Sequence, residues 1–82
     1  MSLKITIRCF SHVRQALGKE TFTLELQEGA DTTEVERTIR EMAGEALDGI
    51  SFRIAVNRKY LSFPTELKDS DEIALIPPVQ GG

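Results

Sequence analysis

Four short runs of alternating apolar and polar residues, broken once by a longer stretch with helical spacing, restrict this chain to a layer of strands with one helix laid across it. The first run places Leu3, Ile5, Ile7 and Cys9 on one side and Lys4, Thr6, Arg8 and Phe10 on the other. That is the period-two pattern of a strand buried on one face, with Phe10 as an aromatic ring on the polar side. The second run, Thr21 to Leu26, turns Phe22, Leu24 and Leu26 inward. A helix is expected from near Thr32, where Asp31 with Glu34 and Thr33 with Glu36 offer overlapping capping boxes. Its apolar positions Val35, Ile39, Met42 and Ala43 share one face, and Gly44 suits a left-handed ending. The third run is Phe52, Ile54 and Val56; Asn57-Arg58-Lys59 then turns into a short edge at Tyr60-Leu61-Ser62. In the last, Ile73 and Leu75 alternate with Ala74 and Ile76 until Pro77-Pro78, which cannot donate to a ladder, ends the strand. Between these, Ser11 is expected to cap one or two helical turns that stop at Gly18, Glu45 to Ser51 reads as loop, and Leu67 should plug the core. The order strand, strand, helix, strand, strand predicts a two-layer α+β domain with a mixed sheet.

With 82 residues the chain has length for one domain, residues 1–82, carrying a flexible tail at 77–82; such a domain buries about 60 to 65 per cent of its unfolded surface. Apolar residues make up 40% and charged residues 28%, an ordinary globular balance without the roughly 20 consecutive apolar residues of a membrane span. No membrane association is expected. The start, Met-Ser-Leu-Lys, has neither an apolar signal core nor an Arg-rich presequence, so the expected location is cytoplasmic. Ten Lys and Arg against thirteen Asp and Glu give a net charge of −3, and the basic residues are dispersed along the chain rather than striped. Nucleic acid is therefore not an expected partner. A mildly acidic surface is compatible with a more basic protein partner, although most domains of this charge simply have a solvated face.

Side-chain catalysis has little to work with. Cys9 is the single cysteine and His12 the single histidine, which leaves no intramolecular disulfide, no Cys-rich zinc site and no cysteine-ligated cluster. Cys9 shares the inward phase of Ile5 and Ile7 and reads as a small buried hydrophobe, while His12 is expected at the surface. Asp69 with Asp71, and Glu34 with Glu36, fit turn and helix-start contexts. No phosphate loop, dinucleotide fingerprint or metal spacing is present. The chain end differs. A proline pair presets an extended exit from the sheet, and Gly81 and Gly82 put no side chain on the last two units, so a terminal carboxylate there can thread a narrow slot. The four residues after Pro78 reach at most about 13 to 14 Å, enough to carry a terminal group into a partner's cleft. If the first and last strands pair in parallel at the sheet centre, Phe10 and Ile76 fall at matching ends opposite the helix, beside the root of the tail. Tyr60 extends that patch, which reads as a docking surface.

The stretch from Asp71 to Gly82, DEIALIPPVQGG, resembles the ending of the MoaD-type small subunit of molybdopterin synthase, within the ubiquitin-like sulfur-carrier (MoaD/ThiS) family. Phe10, Val13, Arg14 and Gly18 resemble an early segment of the same family, and Ala55-Val56-Asn57 resembles its A-V-N turn. Tyr60 and Gln80 depart from it: an aliphatic contact residue is common at the first position and a small polar one at the second. The resemblance implies a β-grasp fold and a cycle centred on Gly82. In that cycle a ubiquitin-activating-type adenylyltransferase uses ATP to make an acyl-adenylate, and sulfur from a persulfide relay converts it to a thiocarboxylate. The small subunit then docks on a larger catalytic subunit, forming a heterotetramer, and delivers sulfur to cyclic pyranopterin monophosphate to give molybdopterin. Gly81 and Gly82 would carry the chemistry, and Phe10, Tyr60, Ile76, Pro77, Pro78, Val79 and Gln80 the partner contacts. No cofactor is expected on this chain, which offers no evident cationic pocket near its tail, so pterin binding falls to the partner. A carrier serving thiazole, cysteine or tRNA thiolation, or a ubiquitin-like modifier, remains an alternative.

Overall fold

The computed structural model describes residues 2–60 and 64–77. Strand β1 (Ser2–Cys9) leads through a short helix α1 (Ser11–Leu17) to β2 (Thr21–Gln27), which folds back on it antiparallel. Helix α2 (Thr32–Ala43) and a 3₁₀ turn (Gly44–Leu47) follow, then β3 (Arg53–Val56), β4 (Lys59–Tyr60) and β5 (Glu72–Ile76). The sheet order is β2-β1-β5-β3-β4, with β5 parallel to β1 and antiparallel to β3. This mixed five-stranded sheet with one main helix is the ubiquitin-like β-grasp arrangement, and it puts the last strand in the middle.

Register decides which side each residue takes. Leu3, Ile5 and Ile7 lie opposite Leu26, Leu24 and Phe22, Ile7 and Cys9 lie beside Ile73 and Leu75, and Ile54 and Val56 complete the row. All of these belong to one apolar core with Val13, Val35, Ile39, Leu47, Phe52 and Leu67. Leu67 fills the core from the loop before β5, and the 65–67 segment is laced to the start of α2. Thr32 N–H donates to the Thr65 carbonyl, Thr65 N–H to the Thr32 hydroxyl, and Leu67 N–H to the Ala30 carbonyl.

Asp31 caps α2 by accepting the Glu34 N–H at 3.1 Å, and the helix begins at Thr32 as expected, with the Glu34 carboxylate paired to Arg37. Three expectations for α1 and α2 change. Ser11 is the first residue of α1 rather than its cap, at φ 50°, and Phe10 occupies the cap position without a side-chain hydrogen bond. Met42 is 46% exposed, because the core beyond Ile39 is supplied by Ala43 and by Leu47 of the 3₁₀ turn. Gly44 has a positive φ but ψ −130°, outside the left-handed helical basin; it is Gly18, at φ 69° and ψ 19°, that closes its helix in that conformation.

The stretch expected as loop after α2 is held by one side chain. Arg40 donates to Glu36 and to the Leu47 and Ile50 carbonyls at 3.0 to 3.2 Å, with its guanidinium 4.8 Å from the Phe52 ring centre. The entry to β5 is pinned in a similar way. Asn57 Nδ2 donates to Asp71 and Asn57 Oδ1 accepts the Glu72 N–H, both at 2.9 Å, while Asp71 also accepts the Lys68 N–H. Asn57 and Arg58 both have positive φ, the signature of the two-residue turn that matches strand twist in a tight hairpin. Among the described residues no helix is long and apolar enough to cross a membrane.

Candidate docking face and tail root

With β5 central, the chain leaves the sheet between β1 and β3, and among the described residues the helices pack on the opposite, core side of the sheet. Phe10 follows β1 in extended conformation (φ −129°, ψ 148°), so its ring takes the side opposite Cys9. Continuing the β1–β5 register one step past Cys9 and Leu75 sets Phe10 beside Ile76, and Ile76 lies opposite Arg53 on the other flank. One row back, Arg8 pairs with Ala74, Ala74 with Ala55, and Ala55 with Tyr60. Phe10 is 39% and Tyr60 58% exposed, whereas Ala55 between the strands is buried. The face at the tail root is therefore a floor of small and aliphatic residues, Ala55, Ala74 and Ile76, with an aromatic ring at either side. At about 5 Å per strand step, β1 and β3 stand about 10 Å apart across it.

The structure brings Phe10 and Ile76 together and places Tyr60 across β3 on the same face. Pro77 follows, half-buried. Pro78, Val79, Gln80, Gly81 and Gly82, like Leu61 and Ser62 of the expected edge, lie outside the described residues. Two residues that sequence reading set among dispersed charges belong here as well: Arg8 sits 5.7 Å from the Phe10 ring centre and Arg53 6.0 Å from that of Tyr60. The signal was available in part, since Arg8 shares the phase of Phe10. Only the placement of β5 between β1 and β3 adds Arg53.

Elsewhere several titratable groups are engaged in structure. Cys9 is buried, and burial pushes its thiol pKa up, away from a reactive thiolate. His12 is exposed on α1. Asp69 accepts the Lys4 N–H at 2.8 Å, and Asp71 binds Asn57 and the Lys68 N–H, so this pair serves its turn. Glu36 holds Arg40, and Glu34 pairs with Arg37 on the outer side of α2. A concavity lined by Glu25, Glu28, Gly29, Glu34 and Arg37 lies at the end of β2 that pairs with the start of β1, the end of the sheet away from the β5 exit. Among the described residues no three His, Cys, Asp or Glu side chains converge as metal ligands.

A ubiquitin-like β-grasp domain whose central last strand runs out through a proline is the class that fold and exit define. The ThiS family model matches residues 7–82, and the chain belongs to that family. A protein of Chlamydomonas reinhardtii described as a molybdopterin synthase sulfur carrier subunit is 34% identical over 84 residues, spanning 98% of this chain and 100% of its own. Among solved structures, one assigned to subunit 1 of a molybdopterin converting factor from Pyrococcus furiosus matches with TM-score 0.85 and 30% identity, covering 94% of this chain and 99% of its own. A chain in the complex of subunits 1 and 2 of molybdopterin-converting factor from Helicobacter pylori 26695 matches at TM-score 0.67 and 29% identity, over 98% and 100% of the two lengths.

Proposed function

We propose that this chain is the sulfur-carrying small subunit of a molybdopterin synthase, with the Gly82 carboxyl as its reacting group. The observation that carries the reading is whole-length similarity, at 34% identity, to a relative described as that sulfur carrier subunit. The Helicobacter pylori complex, in which a related chain is bound to a second subunit, supports a larger catalytic subunit as partner. Two side-chain candidates are otherwise engaged, which favours the chain end as the reacting group: the single thiol is buried, and Asp69 and Asp71 hold a turn.

In this reading an adenylyltransferase of the ubiquitin-activating type joins the Gly82 carboxylate to AMP from ATP, releasing pyrophosphate. Adenylation turns a poor leaving oxygen into a good one. The outer sulfur of a persulfide then attacks the carbonyl carbon and displaces AMP, and a second thiol cleaves the resulting acyl disulfide, ending as a disulfide itself and leaving a thiocarboxylate, a strong, soft nucleophile at neutral pH. Gly81 and Gly82 keep the end bare enough to enter the catalytic subunit. Phe10, Tyr60, Ile76 and Pro77 form the docking face, and Pro78, Val79 and Gln80 carry the end inward, where sulfur passes to cyclic pyranopterin monophosphate.

The test is intact mass after incubation with ATP, the cognate adenylyltransferase and a sulfur donor. Replacement of one oxygen by sulfur at Gly82 is the expected product. A lysine-linked conjugate would make the chain a modifier instead, and a thiocarboxylate that no molybdopterin synthase subunit consumes would assign it to another sulfur pathway.

A further inference from the structure

We propose that the docking face at the β5 exit is read through its two arginines, and that the partner presents carboxylates to Arg8 and Arg53 on either side of an apolar ridge that packs on Ala74 and Ile76. The assignment rests on the reading above that the chain docks on a larger subunit through this face. It adds the chemistry of the complementary surface.

The two guanidinium groups stand on β1 and β3, flanking β5, and each lies near an aromatic ring, at 5.7 Å for Phe10 and 6.0 Å for Tyr60. An arginine held near a ring is partly ordered before it binds, so less side-chain freedom is lost when a carboxylate arrives. Among the described residues neither charge is held in a close ion pair. Arg8 reaches Glu72 only at 3.7 Å, with both side chains well exposed, and among the described residues Arg53 has no ion-pair partner. Such an exposed pair holds little energy and yields readily to a better-placed carboxylate.

Charge also argues against a second copy of this chain as the occupant. A two-fold pairing of this face would bring arginines toward arginines around an apolar centre, and like charges across an interface are costly. With a net charge of −3, the protein as a whole repels an acidic partner, while the tail root attracts it. Approach is thereby oriented, with the β5 exit leading.

Binding of the full-length chain to the purified large catalytic subunit of the same organism, titrated at low and high salt, tests this. Arg8→Gln with Arg53→Gln keeps the aliphatic stems. The double variant is expected to bind about tenfold more weakly at low salt and to lose most of the salt dependence, with an unchanged melting temperature. Phe10→Glu, which strikes the apolar contact, is expected to weaken binding at every salt concentration. Wild-type-like affinity and salt dependence in the double glutamine variant, with binding still lost in Phe10→Glu, would overturn the arginine assignment and leave docking intact. Absence of wild-type binding at any salt would remove the docking reading itself. A dimer of the isolated chain that the double variant dissociates would replace the acidic partner with a second copy.

Discussion

Cys9 shows how little a residue's chemical type says until its side is known. Packed beside Leu75 with 2% of its surface exposed, its thiol titrates above its usual value because burial disfavours the thiolate. Folded protein therefore holds this proton to higher pH than unfolded protein does, so the contribution is complete below about pH 8.5 and is lost as pH rises through the folded value. Stability should decline from about pH 8.5 upward, and replacing Cys9 by Ala should remove that part of the slope. Urea melts at pH 7 and pH 10 check it; an identical alkaline loss in the variant would assign the slope to other groups. The inward phase of Cys9 was legible from alternation alone. The role of Asn57 was not, because its partners Asp71 and Glu72 are 14 and 15 residues away and meet it only when β5 inserts beside β3.

At the scale of elements, legibility followed the range of the forces involved. Helix α2 could be bounded at Thr32 and Ala43 because its cap and apolar stripe are local. The 3₁₀ turn after it could not, since Leu47 is held in the core through Arg40, whose three hydrogen bonds reach back to Glu36 and forward to the Leu47 and Ile50 carbonyls. Met42 was misplaced for the same reason: with Leu47 and Ala43 in the core, the last turn of α2 leaves that side chain outside. Arg40→Ala is expected to cost about 1 to 2 kcal/mol, toward the lower end because the guanidinium is partly solvated. Arg40→Lys should recover less than half, because one ammonium nitrogen cannot take the places of both Nη1 and Nη2 at the two carbonyls and of Nε at Glu36. Chemical denaturation of both variants reads this out, and full recovery by lysine would show that only the charge mattered.

For the whole molecule, the decisive feature is that the last strand is central. Sequence reading could set β1 and β5 side by side and so join Phe10 to Ile76, but the flank formed by β3 depends on the complete order β2-β1-β5-β3-β4. That order gathers Arg8 and Arg53, 45 positions apart in the chain, around the exit of β5, where the sequence reading saw only dispersed charge. It also makes Ile76 and Pro77 leave an interlocked sheet centre rather than a frayed edge. The diglycine was the plainest functional signal in the sequence, because it is chemistry without side chains and needs no fold to be read.

The most direct measurement compares full-length protein with a variant lacking Gly82, each incubated with ATP, the cognate adenylyltransferase and a sulfur donor, and then followed by mass spectrometry and thermal melting. The expected result is a thiocarboxylate on the full-length chain and none on the variant, at the same melting temperature. Sulfur carried by the shortened chain, or carried anywhere but the terminal carboxyl of the intact one, would contradict the account.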